Sequence, residues 1–219
     1  MTRRSPAGSG VAAPAGYLRP IGCAWEEATV EALFDAAGAL RDGHFLLKSG
    51  RHSPRYLEKF AVLQYPALGV EIGRRLADAL APYEPTLVVG PTTGGVLLAF
   101  ETARQLAERA GREVRGIFAE PLERGRRALR RGWPVTDADR IVLVDDILTT
   151  GASLLETIAA VRGAGGEPLA AAVVVDRSAP GSSLGMPLHA LGRIEIASWV
   201  PDECPLCREG IPAEKPGSS

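Results

Sequence analysis

Apolar residues recur along this chain in two periods, and the alternation between them lays out its elements. From Trp25 to Leu40 the residues Val30, Leu33, Phe34, Ala37 and Leu40 fall at helical spacing, which predicts an amphipathic first helix with Gly43 as its stop. Leu68, Ile72, Leu76 and Leu80 repeat every fourth residue after Pro66, and Pro82 and Pro85 then interrupt before the apolar run Thr86 to Val89. Helix, turn and buried strand are expected in that order. The pattern continues with a helix over Val96 to Ala110, strands at Val114 to Ala119 and Ile141 to Val144, a helix carrying Leu154, Leu155, Ile158 and Val161, and a strand at Leu169 to Val175. Repeated strand–helix units predict an α/β fold with a mostly parallel sheet covered by helices on both faces. Residues 1–20 are rich in Gly, Ala, Pro, Ser and Arg without apolar period and read as a disordered tail, leaving 21–219 as one domain. From Pro201 onward the Pro-, Cys- and Gly-interrupted end reads as a packed or capping segment rather than another strand–helix unit.

Composition narrows the function classes. A chain of 219 residues with 46% hydrophobic content suits one domain with a substantial core. The net charge of −1 supplies no global basic field for nucleic acid, so any affinity for anions has to be local. No apolar run reaches the length of a membrane span, and the start at Met1 lacks the apolar core of a signal peptide, so a cytoplasmic protein is expected. Cysteine is limited to Cys23, Cys204 and Cys207, an odd count that argues against a disulfide scaffold. Cys204 and Cys207 have metal-ligand spacing, but a structural zinc takes about four ligands and no second cysteine pair exists. Three readings stay open for them: half of a site completed by a second copy, a redox pair, or unligated thiols.

The densest chemistry lies in Ile141 to Ser153. Four apolar residues form a buried strand, Asp145 and Asp146 emerge at its carboxyl end, where open α/β sheets bind ligands, and Thr149, Thr150, Gly151 and Ser153 lie in the turn entering the next helix. Acids there can hold sugar hydroxyls, while hydroxyls and free N–H groups at the helix start can cradle a phosphate. A second glycine-rich turn, Gly90 to Gly95, follows the strand at Leu87 to Val89 and should open at the same sheet edge. Two anion cradles on one sheet suit a doubly phosphorylated ligand.

The stretch Asp145 to Ser153 resembles the phosphoribosyl pyrophosphate (PRPP) signature of the type I phosphoribosyltransferases, a hydrophobic strand followed by two acids, two aliphatics and Thr-Thr-Gly-x-Ser. The resemblance implies a mostly parallel sheet with a small N-terminal hood and a mobile lid loop. It also implies PRPP binding along Asp145, Asp146, Ile147, Leu148, Thr149, Thr150, Gly151, Ala152 and Ser153. Pyrophosphate binding falls to Thr92, Thr93 and Gly94. His44 to Tyr56 looks like the N-terminal motif of the orotate phosphoribosyltransferases through Phe45, Leu47, Ser49, Gly50, Ser53 and Tyr56. By that resemblance Lys48 reaches the pyrophosphate or orotate anion and Ser53 to Leu57 line the base pocket. Arg177, after the strand acid Asp176, and Thr149 contact orotate. Read from the residues alone, the first stretch is a hairpin bent at Ser49-Gly50, and Asp176-Arg177 is a surface ion pair.

Arg124, Arg126, Arg127, Arg130 and Arg131 surround Gly125 with little apolar anchoring and read as the lid, or as a solvated basic loop. Many orotate enzymes carry Lys-x-Lys-x-His-Gly there. This chain lacks it, and arginine stays protonated, so no proton-transfer group is assigned. Its lid and its end at Cys204 to Pro212 instead resemble a bacterial branch of the family with a Cys-Pro-Leu-Cys tail. The expected activity is transfer of phosphoribose from PRPP to orotate, giving orotidine 5′-monophosphate and pyrophosphate in pyrimidine synthesis. Mg²⁺, held mostly by PRPP, and a homodimer are implied, with no nucleic acid or membrane partner. A different base, or a PRPP-sensing regulator without turnover, are the alternatives.

Overall fold

The computed structural model describes residues 27–47, 49–123 and 125–216. The chain opens with α1 (Val30–Ala36), an antiparallel hairpin of β1 (Leu40–Leu46) and β2 (His52–Leu57), and two helices, α2 (Lys59–Leu63) and α3 (Pro66–Leu80). The main body follows as β3 (Leu87–Pro91), α4 (Gly94–Ala110), β4 (Arg115–Leu122), β5 (Arg126–Ala128), β6 (Ile141–Leu148), α5 (Ala152–Gly163), β7 (Pro168–Asp176) and β8 (Leu188–Arg193). A short helix, α6 (Pro205–Arg208), lies in the C-terminal segment.

Six strands form one sheet in the order β5-β4-β3-β6-β7-β8, parallel except for the β4–β5 pair. From β3 the chain crosses by α4 to β4 on one side, and from β6 by α5 to β7 on the other. The carboxyl ends of β3 and β6 therefore flank the point where the winding reverses, the crevice that open α/β sheets use for ligands. Strand alternation divides the core in two. Val88, Val142 and Val144 pack with Ile72 and Leu76 of α3 and Leu98 of α4, while Leu87, Val89, Ile141 and Leu143 meet Leu154, Ile158 and Val161 of α5. Each such side chain removed from water contributes about 1.5–3 kcal/mol, which is why β3 and β6, buried on both faces, read as unbroken apolar runs.

The expected parallel sheet with helices on both faces is present, with local corrections. The first helix is short: Thr29 caps it by accepting a hydrogen bond from Ala32 N at 3.1 Å, and it ends at Ala36. Leu40 and Gly43, expected as its last turn and its stop, belong to β1, where Leu40 pairs with Leu57. Apolar residues spaced three and four apart fit a helix, but register with β2 decides the outcome for Leu40. The signature strand runs on to Leu148, so both acids lie within it. β5 and β8 were not expected from the pattern; β5 is three residues long and β8 is nowhere fully buried. The expectation for residues 1–20 falls outside the described residues. Among the described residues no helix is long and apolar enough to cross a membrane.

The candidate active site

Asp145 and Asp146 are 7% and 4% exposed, an unusual depth for two adjacent carboxylates, and the backbone holds them in place. Asp145 Oδ1 accepts from Asp146 N at 2.8 Å, and Asp146 Oδ1 accepts from Ile147 N at 2.7 Å. Lys59, at the start of α2, reaches Asp146 Oδ1 at 3.1 Å and Oδ2 at 2.9 Å. Burial, and then the charge of Asp146, push the Asp145 carboxyl up to about 7. An acid whose folded pKa lies above its unfolded value of 3.8 binds more protons in the folded state, so its ionisation destabilises the fold as pH rises from about 4 to about 7. This site is strained toward neutrality, and a ligand that hydrogen-bonds to the ionised acids relieves that strain.

Both helices that begin at the sheet edge start without a side-chain cap. α5 follows Gly151, whose φ of 79° needs glycine, and α4 follows Thr93 after a cis Thr92–Thr93 peptide. Uncapped first turns leave backbone N–H groups that an anion can take. The second turn also packs against the acids: a Cβ built on Gly94 would lie 2.0 Å from Asp146 Oδ2. Gly94→Ala is therefore expected to displace the Asp146 carboxylate and lower kcat/KM for a phosphosugar at least about 10-fold, a loss of roughly 1.4 kcal/mol or more. Activity within twofold of the parent chain would show that Asp146 tolerates the shift.

A cavity of about 640 Å³ lies over these groups, lined by Tyr56, Leu57, Lys59, Pro91, Thr92, both acids, Thr149, Ser153, Arg177 and Pro216 among others. Sequence positions 56 to 216 thus converge on one crevice. Thr150, Gly151 and Ala152 form the turn behind it, with Ala152 N donating to Thr150 Oγ1 at 3.4 Å. Lys48 and Arg124 lie outside the described residues. Ser53 does not line the cavity: it is buried, and its hydroxyl lies within hydrogen-bond distance of the carbonyls of Arg55, at 2.8 Å, and Ala197, at 3.0 Å. Tyr56 and Leu57 do line it, as strand residues of β2 rather than a turn.

Arg177 departs from its bland reading. Asp176 pairs with Arg193 at 3.3 Å and accepts from Ser178 N at 2.8 Å, so the expected Asp176–Arg177 ion pair is not formed. The half-buried Arg177 guanidinium has no hydrogen bond or ion pair among the described residues, and desolvation holds its pKa below the usual arginine value. The arginine-rich segment is more anchored than expected, as a hairpin of β4 and β5 with Leu129 and Trp133 packed on the core. Arg127 is committed to structure, donating to Thr92 Oγ1 at 3.2 Å and Ala119 O at 3.2 Å and facing Glu156 at 3.3 Å. Arg131 pairs with Glu120 at 2.6 Å, while Arg126 and Arg130 are exposed. Sequence reasoning passed over Lys59; its one signal was a lysine three residues beyond the motif's Tyr56 in a lysine-poor chain.

Paired buried carboxylates at the reversal point of a parallel sheet, between two uncapped helix starts, define a phosphosugar-handling α/β protein. The phosphoribosyl transferase domain family model matches residues 61–184, and the chain belongs to that family. Within it the chain stands with the orotate phosphoribosyltransferases. It is 43% identical to the orotate phosphoribosyltransferase of Pelotomaculum thermopropionicum over 86% of this chain and 96% of that one. The figure is 45% for that of Caldicellulosiruptor bescii, over 85% and 94%. A crystal structure of orotate phosphoribosyltransferase from Aeropyrum pernix superposes with a TM-score of 0.59 at 25% identity, covering 75% of this chain and 93% of that one.

Proposed function

We propose that this chain transfers the 5-phosphoribosyl group of PRPP to orotate, giving orotidine 5′-monophosphate and pyrophosphate, a step of pyrimidine synthesis. The observation that carries the choice of base is Arg177: a half-buried guanidinium without a protein partner among the described residues, on the same cavity as the paired acids, suits a carboxylated heterocycle. In this reading Asp145 and Asp146 accept hydrogen bonds from the ribose hydroxyls, and Thr149 to Ser153 with the start of α5 hold the 5′-phosphate. Thr92, Thr93 and Gly94 hold the pyrophosphate, and Lys59 joins Lys48 as a cation on the anion side. Among the described residues, Arg126 and Arg130, both exposed, are the lid arginines left to meet pyrophosphate.

Mg²⁺ fits the donors present, since Asp145 and Asp146 offer hard carboxylate oxygens on the cavity. When bound, the ion would neutralise charge on the departing pyrophosphate. The chain's own contribution is orientation and charge stabilisation. Tyr56 and Leu57 wall the base side, and Arg177 fixes the carboxylate so that the ring nitrogen faces the sugar.

The same reading includes a homodimer, supported by Leu97 and Phe100, 52% and 68% exposed along α4. It also includes a cytoplasmic setting, where such charged precursors are kept, and a place in the bacterial branch with the Cys-Pro-Leu-Cys tail.

The test is pyrophosphate release from PRPP and Mg²⁺ with orotate, run beside adenine, guanine, hypoxanthine and uracil. Turnover with orotate alone is expected. Turnover with another base moves the substrate, and PRPP binding without turnover on any base makes the chain a regulator. A pH profile adds a second check, because kcat/KM reports groups of the free enzyme. With Asp145 pushed up to about 7, kcat/KM for PRPP should rise between pH 6 and pH 8 and level off above. Asp145→Asn should retain only the shallower limb from the PRPP phosphate, whose second pKa is about 6. An unchanged profile in that variant would assign the limb elsewhere.

A further inference from the structure

Outside the active site, four metal-ligating side chains meet where the C-terminal segment crosses the β1–β2 hairpin. His44, His52, Cys204 and Cys207 each offer a donor atom, and all four atoms lie within 4.8 Å of one another. His44 Nε2 is 2.7 Å from His52 Nδ1, 3.5 Å from Cys204 Sγ and 3.7 Å from Cys207 Sγ, and Cys207 Sγ is 3.2 Å from His52 Nδ1. The β1–β2 hairpin builds the histidine half. His52 pairs with Leu46, and His44 sits at the irregularity of β1 between Asp42 and Phe45, which brings the two imidazoles together. The short helix α6 builds the other half by carrying Cys204 and Cys207 on one turn.

We propose that these four residues form a structural zinc site that fastens the C-terminal segment to the hairpin. A tetrahedral Zn²⁺ with bonds of about 2.0–2.1 Å to nitrogen and 2.3 Å to sulfur requires ligand separations of about 3.3–3.8 Å. The two sulfur contacts of His44 fall in that range; binding the ion would move the imidazole nitrogens apart by about 0.6 Å, open the 3.2 Å contact of Cys207 with His52 slightly, and draw in the wider pairs, which lie within 4.8 Å. The outer contacts agree. His44 Nδ1 lies 2.7 Å from the carbonyl of Ile211, so it carries the proton and leaves the Nε2 lone pair facing the cluster, as a ligating histidine requires. Charge agrees as well: two thiolates balance the dication, so the centre is neutral, and binding releases the two thiol protons. The mixed nitrogen and sulfur set selects zinc over hard cations, and four protein ligands leave no open position for catalysis.

The position of the site gives it a task. Around it the tail adds backbone pairing to both strands: His52 N donates to Trp199 O at 2.8 Å, and Glu214 N donates to His44 O at 2.7 Å. Two residues later Pro216 lines the active cavity, together with Tyr56 and Leu57 of β2. The ion therefore closes a loop of roughly 160 residues, and in doing so braces the wall of the base pocket.

The experiment uses full-length chain purified without a histidine tag from zinc-supplemented cells. Elemental analysis should find about one zinc per chain, and titration of the native protein with an organomercurial should release it as the thiols react. Cobalt(II) taken up after zinc removal should give the visible bands of a tetrahedral ion together with thiolate charge transfer in the near ultraviolet. Cys207→Ser and His52→Asn should each lose the metal, and chelation should lower Tm on the order of 10 °C. Absence of both zinc and the cobalt spectrum, retention of metal in both variants, or a Cys204–Cys207 disulfide in the native protein would each overturn the site. Since metal content, spectrum and Tm are read without turnover, the result stands apart from the choice of base.

Discussion

Replacing Asp145 and Asp146 together by asparagine is expected to lower kcat/KM for PRPP by about 10²–10⁴-fold while leaving the chain folded. In the proposed reading each ionised carboxylate accepts charge-assisted hydrogen bonds from a sugar hydroxyl, worth about 1.5–3 kcal/mol apiece, so the pair amounts to about 3–6 kcal/mol. Asparagine keeps an oxygen for the local backbone bonds, from Asp146 N to residue 145 and from Ile147 N to residue 146, so the strand end should hold its shape. Stability should move the other way from activity. Asp145 is destabilising when ionised, because burial and the neighbouring acid oppose its charge, so Asp145→Asn alone should raise Tm at pH 8 while reducing activity. Asp146→Asn should not stabilise, since it leaves the Lys59 ammonium without its carboxylate at 2.9 Å. Steady-state kinetics with thermal melts of the three variants decide the matter. Kinetics within tenfold of the parent in the double variant would remove the acids from the sugar site.

Arg177→Ala is expected to raise KM for orotate by roughly 30–1000-fold with KM for PRPP changed less than about twofold. A bidentate arginine–carboxylate contact in a partly buried pocket is worth about 2–4 kcal/mol once the carboxylate left behind is counted, and Arg177 has no other partner among the described residues to retain it. Arg177→Lys keeps the charge but loses the planar fork, so it should recover only part of the loss. Uracil, which lacks the carboxylate, provides the control as a competing ligand: its weak inhibition of orotate turnover should not fall in Arg177→Ala. Equal losses with PRPP and orotate would mean that Arg177 supports the fold of the cavity rather than reading the base.

The site was legible to the extent that it is local. From Ile141 to Ser153 one strand, one turn and one helix start are contiguous, so apolar run, acids, hydroxyls and glycine follow one another in sequence as they do in space. Gly90 to Gly95 repeats the logic on the neighbouring strand. What escaped was set by distance along the chain. Lys59 meets Asp146 across 87 positions, and no period or motif ties them together. Whether Arg177 is free depended on Arg193, a residue of the unexpected strand β8, taking Asp176. Arg127 looked like its lid neighbours, yet the β4–β5 hairpin turns it inward onto Thr92 while Arg126 and Arg130 stay exposed.

Periodicity and motif order were enough for the α/β class, the buried central strands and the place of the two glycine-rich turns at one sheet edge, because burial and turn chemistry act on residues close in sequence. The order of the strands, with β3 beside β6 at the reversal of winding, is a property of packing that no local pattern encodes. The cysteine pair shows the same division most sharply. Its spacing left open half a metal site, a redox pair or unligated thiols, and the two histidines that would complete a site lie about 160 positions away, brought there by the β1–β2 hairpin and the return of the C-terminal segment. Spacing rules detect ligands that share a turn; ligands joined by folding become visible when the backbone has closed the loop between them.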